Sequence, residues 1–98
     1  MNPNRIRRKV LTRLYAVYHQ NPWASVDRQT LAEMGQTDVK SLDPIVKFLQ
    51  SEGWITLREF HDGDYLAQII PQGIRLVENL AEFNRQFPIE GERGVLDG

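Results

Sequence analysis

The chain has 98 residues, 41% of them apolar and 26% charged, with a net charge of −1 and no cysteine. Domains usually take roughly 100–200 residues, so residues 1–87 are read as one domain, with no room for a catalytic domain beside a cofactor domain. The missing cysteines exclude disulfide staples, thiolate catalysis and cysteine-ligated zinc and fit a cytoplasmic protein, and no apolar run reaches the ~20 residues of a membrane span or resembles a signal peptide.

Residues 4–20 read as the first helix. Turning about 100° per residue, it gathers Ile6, Val10, Leu11, Leu14, Tyr15, Val17 and Tyr18 on one arc and Arg5, Arg8, Lys9 and Arg13 on the other. Arg7 falls on the apolar side, where its stem is expected to run along that surface toward water. The first 20 residues hold five basic side chains and no acid, whereas the remainder holds seven basic and 13 acidic ones. Asn21-Pro22 stops the helix, because proline bars its predecessor from the α region.

Residues 23–26 suggest a brief strand with Trp23 plugging the core. Asp27 can cap a second helix over residues 28–34 that buries Leu31 and Met34. Gly35 then stands where a left-handed helix end is wanted. Thr37 or Asp38 can cap a third helix to about residue 52, with Leu42, Ile45, Val46, Phe48 and Leu49 inward. Pro44 leaves two readings, a short helix capped by Asp43 or a longer one bent at Pro44, and the longer is preferred.

Gly53 ends that helix, and residues 54–60 are β-prone from Trp54 onward, with Trp54 as a second core plug. Asp62-Gly63 is a hairpin signal, and residues 65–70 return as the partner strand, which would place Phe60 opposite Tyr65. Residues 71–73 open a fourth helix that runs on to residue 86. Ile74, Val77 and Leu80 would face the core and leave Leu76 and Phe83 as an apolar edge for a homodimer. Residues 88–98, with three acids, three glycines and no period, read as a flexible C-terminal tail.

The expected fold is therefore mainly α with a small β-hairpin, in the order helix, short strand, helix, turn, helix, hairpin, helix. Three segments carry a resemblance: Leu31-Ala-Glu-Met-Gly35; the series Leu42, Ile45, Val46 and Leu49 leading into Gly53-Trp54-Ile55; and the step Ile69-Ile-Pro-Gln-Gly-Ile74. Over roughly residues 5–83 the chain resembles the winged helix-turn-helix superfamily, the fold of MarR-type and PadR-type bacterial regulators and of many small phage and archaeal DNA-binding proteins. That resemblance implies a regulator that binds duplex DNA, its third helix in the major groove and its hairpin on the backbone or minor groove.

On this basis Gln36, Thr37, Lys40, Ser41 and Lys47 are candidates for reading bases, since lysine can bond guanine and glutamine adenine. Arg5, Arg8, Lys9 and Arg13 form a phosphate-type footprint, and Arg58 of the hairpin joins the candidate DNA-binding set. Against this, residues 21–65 hold four basic and eight acidic side chains. The hairpin tip carries Asp62 and Asp64, which turn chemistry explains. The acidic face keeps an alternative open, an adaptor that binds a protein partner. His19 and His61 lie in different elements at no metal-site spacing, so neither metal, cofactor nor catalysis is expected. A membrane partner is not expected either, because the first helix needs its apolar side for the core.

Overall fold

The apolar stripe of the first helix organises the rest of the chain. In the computed structural model, which describes residues 3–88, α1 (Pro3–Gln20) buries Ile6, Val10, Leu11 and Leu14. Tyr15, Val17 and Tyr18 line the edge of that stripe, half-buried. After β1 (Val26–Asp27), α2 (Arg28–Met34) starts on Asp27, whose carboxylate accepts both the Thr30 N–H and the Thr30 hydroxyl. Leu31 and Ala32 are buried, and Met34 packs at the margin of the core.

The third helix, α3 (Val39–Ser51), starts on Asp38, which accepts the Ser41 N–H at 2.7 Å. It buries Leu42, Ile45, Val46 and Leu49 and runs unbroken through Pro44, which is exposed and forfeits one helical hydrogen bond. It ends as the sequence requires. Gly53 takes φ +81°, its N–H bonds Gln50 O, and the Trp54 N–H reaches back to Leu49 O at 3.2 Å.

Strands β2 (Ile55–Glu59) and β3 (Tyr65–Ile69) form the wing, and β1 pairs with the other edge of β3, giving an antiparallel sheet ordered β1-β3-β2. Tyr65, Ala67 and Ile69 of the central strand are buried under α1, as a half-covered strand with period two requires. The described chain closes with α4 (Pro71–Glu78) and α5 (Leu80–Gln86). Helix, turn and helix followed by a two-stranded wing make this a winged helix-turn-helix, the architecture the resemblance implied.

Several local expectations are corrected. Trp23 is 88% exposed rather than a core plug. Its loop is pinned, because Asn21 Oδ1 accepts the Trp23 N–H and Gln68 Nε2 donates to Pro22 O, both at 3.0 Å, and the ring is left in water. Trp54 is only half-buried, edge-on to Phe48 and Phe87 with centroids 6.2 and 5.5 Å away. Gly35 is right-handed, and the left-handed residue of the turn is Gln36, at φ 57°. The glycine serves close approach instead: a Cβ on Gly35 would lie 3.3 Å from Val10 Cγ2 and 3.4 Å from Leu31 O.

The hairpin register is one residue off the expected one. Tyr65 faces Glu59, and Phe60 instead closes a three-residue loop in which Gly63 takes φ +90° and donates to Phe60 O. The last helix is not continuous. Asn79 ends α4 and caps α5, its Oδ1 accepting the Glu82 N–H at 3.2 Å. Asn79-Leu-Ala-Glu82 has the spacing of a capping box, a signal present in the sequence. The break folds Phe83 and Phe87 back into the core. Leu76 and Phe83, expected as an outer edge, are thus buried, while Leu80, expected inward, is 62% exposed. Of the expected tail, residues 89–98 lie outside the described residues.

Candidate nucleic-acid interface

Helix α3 buries one stripe and presents the opposite one. Lys40, Pro44, Lys47 and Ser51 recur at helical spacing and are exposed, so a ridge that carries two lysines faces solvent. Ser41 lies beside that ridge, lining a groove against the start of α1 with Pro3, Ile6, Arg7, Pro44 and Ile45. Asp38 holds the first turn of α3. Its carboxyl lies below the ordinary carboxylate range because the backbone N–H and side chain of Ser41 bond its charged form. Thr37 is half-buried, with its N–H on Ala32 O.

The basic arc of α1 is divided by its neighbours. Lys9 Nζ donates to Gln36 Oε1, which ties α1 to the turn of the helix-turn-helix. Arg13 borders a groove between α1 and α2 with Gln20, Glu33, Met34 and Gln36, and no ion pair joins it to Glu33 among the described residues. Arg5 is exposed and unpaired among the described residues. Arg8 turns the other way, its guanidinium over the Phe83 ring and Nη1 near Phe87 O at 3.4 Å. Arg7 sits half-buried with its guanidinium carbon 3.9 Å from the Phe48 ring centre and its Nε buried, so the head group lies on an aromatic face instead of reaching for water.

On the wing, Arg58 is exposed opposite Leu66. Lys47 is not free, since its Nζ pairs with Glu59 Oε1 at 2.7 Å. The tip acids are engaged in the turn: Asp62 Oδ1 accepts the Asp64 N–H at 3.0 Å and Asp64 Oδ1 accepts the Tyr65 N–H at 2.8 Å. Lys9, Arg13 and Gln36 are thus brought together beside the start of α3, whereas Arg8 is directed away from them.

Sequence reasoning missed one cluster. Arg28, the first residue of α2, grips Asp43 of α3 with Nε on Oδ1 at 2.9 Å and Nη2 on Oδ2 at 2.5 Å. The Tyr65 hydroxyl donates to the same Oδ1 at 2.9 Å. Arg28, and after it Tyr65, hold the Asp43 carboxyl below the ordinary range against the opposing effect of burial. Burial first, and then the bond to Asp43, push the Tyr65 phenol upward. Asp43 in turn pushes the Arg28 guanidinium up. These residues stand 15 and 22 positions apart in three elements, a separation with no sequence signature.

Among the described residues no helix is long and apolar enough to cross a membrane, and no group of three His, Asp or Glu side chains could hold a metal ion. No family model matches the chain, and no curated protein matches its sequence. Solved structures do match. A candidate DNA-binding protein of Ralstonia eutropha JMP134 has a TM-score of 0.70 at 21% identity, over 82% of this chain and 96% of its own. MepR, a transcription regulator of the Staphylococcus aureus multidrug efflux pump MepA, has a TM-score of 0.63 at 17% identity, over 94% of this chain. The match spans only 62% of MepR itself. A probable transcriptional regulator of Pseudomonas aeruginosa has a TM-score of 0.59 at 24% identity, over 93% of this chain and 74% of its own. The likeness is one of fold.

Proposed function

We propose that this protein binds duplex DNA and acts as a transcriptional regulator in the cytoplasm, without catalysis and without a cofactor. The observation that carries this reading is the Lys9–Gln36 contact, which sets the acid-free start of α1 beside the turn and the exposed ridge of α3. In this arrangement α3 enters the major groove with Lys40, Ser41 and Lys47 toward the bases, while Arg5, Lys9, Arg13 and Arg58 meet phosphates. The solved structures of like fold, one a DNA-binding candidate and two transcription regulators, support the same reading. Engagement of both tip acids within the turn supports it over the adaptor reading. A homodimer through the last helices belongs to the proposal. Its support moves from Leu76 and Phe83, which are buried, to Leu80, which is exposed.

The test is titration into random duplex DNA at two salt concentrations. Binding should weaken linearly with log salt, at a slope near −0.9 for each phosphate met. Arg5→Ala with Arg13→Ala should flatten the slope by up to about two for every sequence alike. Lys40→Ala should weaken one preferred site more than random DNA. Absence of duplex binding at low salt overturns the reading. Sedimentation of a monomer at high micromolar concentration removes the homodimer alone.

A further inference from the structure

Arg28 of α2, Asp43 of α3 and Tyr65, the first residue of β3 after the hairpin loop, meet in one hydrogen-bonded cluster. The Arg28 fork uses Nε and Nη2 on the two oxygens of Asp43, and Nη1 makes no hydrogen bond among the described residues. Neither side chain is sealed off: Arg28 is 29% and Asp43 36% exposed. Around the axis of α3, Asp43 lies about 40° from Lys47 and about 60° from Lys40, so the pair borders the exposed ridge. The wing adjoins the pair through Tyr65. Lys47 leans to Glu59, and Glu59 faces Tyr65 across the sheet.

We propose that Arg28 is a further phosphate ligand for duplex DNA, offered through Nη1, and that Asp43 both aims it and masks its charge. The inference rests on the DNA-binding reading and adds a contact to it. When the second helix of a helix-turn-helix lies in the major groove, the first crosses the sugar–phosphate backbone. Arg28 opens that first helix and stands beside the second. A bidentate arginine–carboxylate pair fixes the guanidinium plane, so little side-chain freedom remains to be lost when a phosphate oxygen arrives. The carboxylate compensates the charge, and the neutral pair therefore displaces no counterion. A free surface cation would add about 0.9 to the salt slope.

That difference supplies the experiment. Affinity for a random duplex is measured against salt for the unaltered chain, for Asp43→Asn, and for Asp43→Asn combined with Arg28→Gln. Circular dichroism at the binding temperature checks that each is folded. Asparagine keeps an acceptor for the fork and leaves the guanidinium charge uncompensated. Asp43→Asn should therefore steepen the slope by about 0.9, and its gain in affinity should shrink about 3.5-fold between 50 and 200 mM salt. Adding Arg28→Gln should return the slope to that of the unaltered chain.

If the double variant keeps the steeper slope, the gain came from removing the repulsion of Asp43, and the proposal fails. It also fails, with the DNA-binding reading intact, if Asp43→Asn leaves the slope unchanged while Arg5→Ala and Arg13→Ala flatten it. An unaltered chain that binds no duplex at low salt overturns both. Should Asp43→Asn not fold, Arg28→Lys decides. Lysine keeps the charge without the fork and should cost about tenfold in affinity at each salt with the slope retained, and an unchanged affinity overturns the proposal.

Discussion

Arg8 lies across the ring of Phe83, with its guanidinium carbon 4.4 Å from the ring centre, and so joins α1 to α5. Nη1 also donates to Phe87 O at 3.4 Å. One of the four cations on the basic arc is thereby engaged in holding the last helix against the first.

A separation of roles follows. A cation over an aromatic face contributes about 0.5–1 kcal/mol at an exposed site, so Arg8→Ala should lower stability by about that amount. Arg5→Ala, which removes no such contact, should leave stability unchanged and act only on DNA affinity. Urea denaturation of the two variants compares them. Equal midpoints would show that the Phe83 contact contributes nothing.

Leu49 has no exposed surface and stands one turn before the Gly53 reversal. Leu49→Ala should cost about 2–5 kcal/mol, a large fraction of the stability of a small domain. The denaturation midpoint should fall steeply. A midpoint that scarcely moves would contradict the packing of α3 described above.

Gly73 is required by close approach. A Cβ there would sit 2.1 Å from Trp54 O and 2.8 Å from Ile69 Cγ1. A backbone carbonyl cannot swing aside as a side-chain end can, so Gly73→Ala should reach the upper part of the ~1–3 kcal/mol usual for overpacking. Thermal unfolding measures it, and a stable Gly73→Ala protein would show that α4 can lift from the sheet at little cost.

Three carboxylates around the helix-turn-helix lie below their ordinary range when folded. Asp27 is lowered chiefly by the Thr30 hydroxyl, Asp38 by the Ser41 N–H, and Asp43 by Arg28. A depressed folded value means that their contribution to stability is complete above the ordinary carboxylate range, near about 4, and is lost as pH falls through the lower folded values. The unfolding temperature should accordingly drop between about pH 4 and pH 2. Asp43→Asn should be less stable at neutral pH but lose less on acidification. An acid limb equally steep in that variant would remove Asp43 from the explanation.

The wing tip carries two carboxylates, which would meet phosphates if the wing contacts the DNA backbone. Both accept backbone N–H groups in the turn, which asparagine can also do. Asp62→Asn with Asp64→Asn should therefore keep the hairpin and relieve the repulsion of phosphates, raising non-specific affinity at low salt more than at high salt. Unchanged affinity at every salt would place the tip away from the backbone.

What was legible in the sequence was local. Amphipathic period selected the inward residues of α1 and α3, and Asp27, Asp38 and Gly53 marked helix ends through bonds made within a few residues of themselves. The exposed ridge of Lys40 and Lys47 follows from the same period. Such features depend on the chain's own geometry, and the sequence alone determines them.

The remainder was decided where elements meet. That Gln36 takes the left-handed turn, while Gly35 stays right-handed and packs against Val10 of α1, is seen only in the folded chain. Whether Phe83 forms an outer edge or a core residue depends on the break at Asn79, which lets α5 fold back beneath Arg8. Arg8 and Arg5 read alike on a helical wheel, yet only Arg8 meets an aromatic ring. Arg28, Asp43 and Tyr65 become one cluster because burying the stripes of α2, α3 and β3 against one another brings their polar margins together. Burial of apolar area has no direction and favours whichever arrangement covers the stripes, so the partner each charged margin receives is a result of the packing and has no counterpart in sequence spacing.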